Sequence, residues 1–161
     1  MSAHTPDPEL DLVLTRTVDV PPALVWRAWT DPELLKQWFA PRPWTTTAAQ
    51  VDLTPGGVFA TTMASPEGDE YPSAGCILVV EPEAKLVFTS ALAPGFRPAA
   101  VSEGAMPFTA IIELAADGSG TRYTATALHP NPESRAAHAE MGFLEGWSQC
   151  LDQLVEVART L

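Results

Sequence analysis

Two histidines, His129 and His138, are the residues whose type and position could carry acid–base chemistry. His129 ends a predicted strand and His138 falls in the first turns of the helix that follows, so both could reach the same end of the fold. A neutral imidazole accepts or donates a proton near pH 7. No carboxylate stands at a spacing that would orient either ring, and the alternative is a structural role, with His129 bonded to the backbone near Pro130 and Asn131. We predict that both contact a ligand or stabilise the fold without forming a catalytic pair.

The strand that ends at His129 predicts a cavity, because alternate side chains of a strand point to one face. On that face lie Tyr123, Ala125, Ala127 and His129. Two small residues between two larger ones leave volume under the following helix. The alternative is a filled core, in which Phe143 and Trp147 occupy that space.

The sequence contains no motif that indicates cofactor or metal chemistry. The sequence holds no nucleophile elbow, phosphate-binding glycine loop, zinc-protease motif or dinucleotide fingerprint. Zinc would need further ligands, and only Glu133, Glu140 and Glu145 are near the histidines in sequence. Cys76 and Cys150 lie in apolar patterned segments, which indicates reduced, buried thiols. We expect no cofactor and no metal ion.

The charge balance excludes two classes of partner. Among 161 residues, nine basic and 20 acidic side chains give a formal net charge of −11. A surface of that sign repels nucleic-acid phosphates and anionic lipid headgroups. The N-terminus has no signal-peptide pattern, and no stretch approaches the roughly 18 apolar residues of a spanning helix. We therefore expect no nucleic-acid or membrane partner and a cytoplasmic protein, and leave a homodimer open.

The first elements follow a polar segment, residues 1–8, that we expect to be a flexible tail before a single domain at 9–161. Apolar and polar residues alternate from Leu10 to Val20, which predicts a half-buried strand. Pro21-Pro22 and Asp31-Pro32 then start two short helices, because proline suits a first helical turn and an aspartate caps it.

Six further strands are predicted from alternating segments separated by turns. They are Thr45 to Leu53, Val58 to Met63, Ser73 to Val80, Lys85 to Leu92, Phe108 to Leu114 and Thr121 to His129. Residues 93–104 form the longest predicted loop, with Phe96 and Met106 able to gate a cavity. One long amphipathic helix is predicted over about 132–160. In it, Gly142 and Gly146 are expected to lie where a Cβ atom would clash with the sheet or the short helices.

This order of elements predicts the α+β class. Consecutive strands joined by short turns are antiparallel, and a sheet needs its apolar face covered. Only one long amphipathic helix is predicted to cover it. We therefore expect a seven-stranded curved antiparallel sheet around the C-terminal helix, with two short helices after strand one.

The chain resembles the helix-grip (START-related, SRPBCC) superfamily, and within it the branch named after the activator of the heat-shock-protein ATPase. The most specific segment, HAEMGFLEGW from His138 to Trp147, is similar to the H-x-x-M-G-F-x-x-G-W pattern of that branch. Weaker similarities lie at 31–35 with Trp38-Phe39, at Pro55-Gly56-Gly57, and at 86–89. The resemblance covers about residues 10–160.

The resemblance implies a cavity between the concave sheet and the long helix that binds a hydrophobic or amphipathic small molecule. The candidate binding residues are Trp38, Phe59, Met63, Phe88, Phe108, Tyr123, Ala125, Ala127, His129, His138, Met141, Phe143 and Trp147. Fold alone does not fix function, since the family includes binders, carriers, self-resistance proteins and a few enzymes.

Two alternatives to small-molecule binding stay open. The first is an enzyme of polyketide-cyclase type, acting on an aromatic or polyketide-like substrate through His129 and His138. The second is a co-chaperone-like interaction module. The chain has no room for the separate N-terminal domain through which the eukaryotic activator makes much of its chaperone contact, so the family name alone does not carry that function.

Overall fold

The main layer of the protein is an antiparallel sheet of seven strands, seen in a computed structural model that describes residues 5–100 and 106–161. In chain order the strands are β1 (Asp11–Val18), β2 (Thr45–Val51), β3 (Val58–Ala64), β4 (Glu70–Glu81), β5 (Lys85–Thr89), β6 (Leu92–Ala93), β7 (Arg97–Pro98), β8 (Thr109–Asp117) and β9 (Gly120–Leu128). The sheet has the order β1-β9-β8-β5-β4-β3-β2, and β6 pairs with β7 separately. The predicted α+β class and seven-stranded antiparallel sheet are confirmed.

The described part of the chain contains four helices: α1 (Pro22–Thr30), α2 (Pro32–Leu35), α3 (Pro132–Glu140) and α4 (Phe143–Ala158). The predicted caps form. The Asp31 carboxylate accepts a hydrogen bond from the Glu33 amide at 2.9 Å, and the Asn131 side-chain oxygen accepts one from the Ser134 amide at 2.8 Å. Each cap satisfies an amide that the first helical turn leaves without a partner.

The prediction of one long C-terminal helix is wrong, because the chain forms α3 and α4 with a break between them. Gly142 at the break has a φ of +91°, in the left-handed region. A residue with a Cβ atom is strained there, whereas glycine is not. The glycine therefore ends one helix and redirects the chain into the next.

The hydrophobic core lies between the sheet and the helices. Helix α4 contacts α1, β1 and α3, and its buried side chains include Leu151, Leu154 and Ala158. They belong to one cluster with Val25 of α1 and Ile112 of β8. The apolar stripe predicted for the C-terminal helix is thus the stripe that faces the core.

Gln153 is a buried polar residue within that stripe, and the sequence analysis did not single it out. Its Nε2 donates to the carbonyl oxygens of Trp38 at 3.1 Å and Ala40 at 2.8 Å. Its Oε1 accepts from the Arg42 amide at 3.0 Å. One side chain of α4 thereby holds the segment that connects α2 to β2.

Two predicted irregular segments are only partly described. Residues 1–4 of the predicted tail and residues 101–105 of the predicted loop lie outside the described ranges. The tail segment ends in a turn, where the Leu10 amide donates to the Asp7 carbonyl oxygen at 3.1 Å. The loop contains the β6-β7 pair, so β5 ends earlier than predicted. None of the described helices is long and apolar enough to cross a membrane.

Candidate ligand cavity

A cavity of about 460 Å³ opens between the sheet and the helices. Its wall is built from β3, β4, β5 and β9 on the sheet side, and from α1, α3, α4 and the segment that follows α2 on the other. Most of the predicted binding residues lie on it, namely Trp38, Phe59, Met63, Phe88, Phe108, Tyr123, His138, Met141, Phe143 and Trp147. None of the described wall residues is an aspartate, glutamate, lysine or arginine.

Three predicted residues, Ala125, Ala127 and His129, do not line the cavity. Both alanines are fully buried in the core. Ala125 pairs with Leu14 on one side and Ile112 on the other. The small side chains of β9 therefore lie within the packed core, and the open volume lies over β3, β4 and β5 instead.

Other wall residues were not among the predicted ones, including Trp29, Tyr71, Ser90, Gly146 and Cys150. The apolar face of α1 could have indicated Trp29. Tyr71 was missed because β4 begins at Glu70, three residues before the predicted strand. Phe96, predicted as a gate, lies outside the wall and is 52% exposed.

Trp29 is the centre of an aromatic cluster on the wall. Its ring centroid lies 4.8 Å from that of Trp38 and 5.8 Å from that of Phe88. Phe59 stacks on Phe88 at 4.1 Å. Aromatic pairs at such distances add roughly 0.5–1.5 kcal/mol each beyond the area they bury. The cluster gives the wall a rigid apolar surface.

Tyr123 contributes a buried hydroxyl group to the wall. Its oxygen accepts a hydrogen bond from Trp29 Nε1 at 3.1 Å. Desolvation by burial raises the pKa of Tyr123 well above its ordinary value, although the Trp29 hydrogen bond opposes the shift. The hydroxyl stays protonated at pH 7, and its own hydrogen has no acceptor in the described hydrogen-bond network. Tyr123 thus lines the cavity and retains one hydroxyl hydrogen that can be donated.

The two histidines meet at the end of the cavity near α3. His129 Nε2 lies 2.8 Å from His138 Nδ1, and His129 Nδ1 lies 2.8 Å from the carbonyl oxygen of Leu10. His129 is thus bonded to the backbone at the start of β1, and not near Pro130 and Asn131 as expected. His138 lines the cavity and His129 lies behind it.

The surroundings of His138 favour a neutral ring. Phe108 and Phe143 lie against it, with ring centroids 4.9 Å and 5.1 Å away. Desolvation by burial, and secondarily the neighbouring His129, lower the pKa of His138 to about 4. At pH 7 the ring is uncharged and acts as a hydrogen-bonding group rather than as a strong base.

Cys150 places a thiol on the wall. Burial raises its pKa to about 12, so the thiol is protonated at pH 7 and is a poor nucleophile. Both cysteines are free, as predicted, but only Cys76 is fully buried, whereas Cys150 is partly exposed and the prediction of burial is wrong for it. Among the residues that the structure describes, no group of three or more His, Cys, Asp or Glu could hold a metal ion.

The two helix glycines do not make the contacts predicted for them. A Cβ atom added at Gly146 would meet nothing within 4 Å, and one at Gly142 would meet only Glu145 Oε2, at 3.7 Å. Gly142 is required by its backbone conformation. Gly146 instead lines the cavity, where the missing side chain leaves space open.

A family model described as Activator of Hsp90 ATPase homolog 1-like protein matches residues 19–159. The chain belongs to this family. A comparison with curated proteins finds no match. Among solved structures, a protein from Nitrosomonas europaea is similar at 50% identity and a TM-score of 0.91, over 96% of this chain and 97% of that one.

More distant structures share the fold of this Activator of Hsp90 ATPase homolog 1-like domain. A protein from Arthrobacter aurescens is 24% identical with a TM-score of 0.81, over 99% of this chain and 92% of that one. The AHSA1 protein of Silicibacter pomeroyi is 23% identical with a TM-score of 0.68, over 94% of this chain and 99% of that one. The segment from His138 to Trp147, on which the predicted resemblance rested, supplies six wall residues: His138, Met141, Gly142, Phe143, Gly146 and Trp147.

Proposed function

We propose that the chain binds a neutral, largely apolar small molecule in the cavity between the sheet and α4. The observation that carries the proposal is the cavity itself, which has a volume of about 460 Å³ and a mainly apolar wall that includes ten Trp, Phe and Tyr side chains. That volume falls in the range of small-molecule sites, which are typically apolar with a few placed polar groups. Here the placed groups include Tyr123 and His138.

Packing energetics support a cavity kept for a ligand. An apolar cavity of this size leaves its lining atoms without the dispersion contacts of a packed interior, which a bound apolar molecule would supply. Gly146 has open space where a side chain would fit, and alanine there would favour the helix by about 1 kcal/mol. A glycine at this position therefore forgoes helix stability and leaves the volume free.

The charge of the ligand follows from the wall and from the surface. A charged group inside the cavity would lose its hydration without an opposite charge among the described wall residues. An anion would also be repelled by the formal charge of −11. A neutral ligand avoids both penalties and gains from apolar burial, at about 25 cal/mol per Å² before ordering is subtracted.

Binding of the neutral fluorophore N-phenyl-1-naphthylamine tests the location, and native mass spectrometry of freshly purified protein tests for a copurified molecule. Gly146→Leu fills the cavity from the wall. Glu145→Leu is the matched control, because it adds the same side chain at the neighbouring, exposed position. We expect the first variant to lose fluorophore binding and the second to keep it. Equal binding by both folded variants would refute the location.

A second candidate, turnover of an aromatic or polyketide-like molecule, is favoured by one observation, the hydrogen-bonded pair of His129 and His138. Binding ranks first because the lowered pKa of His138 makes it a weak base at pH 7. Incubation of the purified protein with an aromatic ester and polyketide panel separates the two: turnover that His138→Gln abolishes, with binding intact, would favour the enzyme. The co-chaperone-like alternative stays a prediction.

A further inference from the structure

The hydrogen bonds of His129 determine which ring nitrogens carry hydrogen. Its Nδ1 lies 2.8 Å from the Leu10 carbonyl oxygen, which can only accept, so Nδ1 carries a hydrogen. In the neutral ring Nε2 is then an acceptor, and it lies 2.8 Å from His138 Nδ1. His138 therefore donates from Nδ1. In its neutral form, His138 Nε2 is left without a hydrogen.

That nitrogen is an accessible acceptor on the cavity wall. Within the described residues, two side-chain atoms are fully enclosed and lack a hydrogen-bond partner, Thr46 Oγ1 and Glu81 Oε2. His138 Nε2 is not among these enclosed atoms. It also makes no hydrogen bond to the described protein atoms. The ring lines the cavity and is only 8% exposed, so the free nitrogen opens on the cavity.

We propose that His138 Nε2 accepts a hydrogen bond from a hydroxyl group of the bound molecule, and that His129 is the positioning residue that fixes the required tautomer. This inference rests on the proposed function and adds the ligand class: a neutral, apolar molecule that carries a hydroxyl group. A methyl ether of the same skeleton cannot donate and leaves the nitrogen unpaired in an apolar site. Sites built around a buried hydrogen-bonding group reject such analogues strongly.

Three probes of one skeleton separate the hydrogen bond from apolar burial: naphthalene, 2-methoxynaphthalene and 2-naphthol, measured by calorimetry at pH 7.5. We expect 2-naphthol to bind the native protein about tenfold more tightly than the ether, the effect of one net hydrogen bond. His138→Phe should abolish that preference, which is a ratio of two affinities measured on the same variant, so that any change in apolar burial cancels.

The positioning role of His129 has its own readout, the ring ¹⁵N shifts of His138. In the native protein Nε2 should show the shift of an unprotonated nitrogen and Nδ1 that of a protonated one. His129→Phe should mix the two tautomers and weaken the preference for 2-naphthol. His129→Gln should restore both, because its amide can donate to the Leu10 carbonyl and accept from His138.

Several results would overturn the inference. An unprotonated Nδ1 on His138 in the native protein would do so without any variant. Equal affinity for 2-naphthol and its ether would refute the hydroxyl preference while leaving apolar binding in place. Failure of all three probes to bind the native protein would instead refute the proposed function, and the inference with it.

Discussion

Gly142 and Gly146 stand four residues apart, and replacing each by alanine should change stability in opposite directions. Gly146 lies inside α4, and the added Cβ atom would meet nothing within 4 Å. Alanine is about 1 kcal/mol more favourable than glycine in a helix interior. Gly146→Ala should therefore raise the free energy of unfolding by about 0.5–1 kcal/mol.

At Gly142 the same methyl group also meets little, since the nearest heavy atom is Glu145 Oε2 at 3.7 Å. The backbone is what opposes the substitution. With a φ of +91°, an alanine would carry the left-handed penalty of about 1–2 kcal/mol. The two variants should consequently differ from each other by about 1.5–3 kcal/mol.

Urea denaturation followed by circular dichroism measures both changes, with the m-value confirming that the cooperative unit is unchanged. For a domain of this size each kcal/mol also moves the melting temperature by about 2–4 °C. A loss of stability in Gly146→Ala would show that its Cβ atom clashes, contrary to the geometry. A gain in Gly142→Ala would show that the break between α3 and α4 does not require a left-handed residue.

Three further substitutions, one of them with a control, test the buried polar groups. Gln153→Met leaves three backbone groups between α2 and β2 without their partners and should lower the free energy of unfolding, measured in urea, by at least about 2 kcal/mol. The control Gln50→Met, at an exposed position of β2, should change it by less than about 0.5 kcal/mol. Tyr123→Phe leaves Trp29 Nε1 unpaired and should cost about 1–3 kcal/mol in the same assay. The last prediction concerns pH. The pKa of His138 is about 4 in the folded protein and 6.5 ordinarily, so between pH 4 and 6.5 the unfolded chain binds a proton on His138 that the folded protein does not bind. As the pH falls from 7 to 4, the free energy of unfolding of the native protein should therefore decrease by about 3 kcal/mol relative to that of His138→Gln. A difference in unfolding free energy that stays constant with pH would contradict the lowered pKa.

Local signals were sufficient for the type and order of most helices and strands. Asp31-Pro32 and Asn131-Pro132 start helices by satisfying amides within the same turn, which depends only on neighbouring residues. The alternation of apolar and polar residues along a strand likewise identifies its buried face from neighbouring residues alone. Gly142 shows the limit of that reasoning, because a glycine in an apolar helical pattern fits a bend, a close contact or a left-handed break, and the pattern does not distinguish them.

The position of the cavity on the sheet was not predictable in the same way. The sequence pointed to β9, where the small side chains of Ala125 and Ala127 were expected to leave volume open, yet both are packed in the core. The hydrogen bond between His129 and Leu10 joins residues 119 apart in the sequence. It follows from the pairing of β1 with β9, a long-range register that no local spacing contains.

The break at Gly142 also explains how one sequence segment can furnish the cavity wall. In an uninterrupted helix, at about 100° per residue, His138 would lie about 180° around the axis from Trp147 and about 140° from Phe143. The three side chains could not then face one cavity. With the left-handed glycine between them, the His138 and Phe143 rings come within 5.1 Å, and Phe108 contacts both His138 and Trp147. The helix break thus turns His138 toward the aromatic wall, and the glycine that ends α3 is as necessary to the site as the side chains on either side of it.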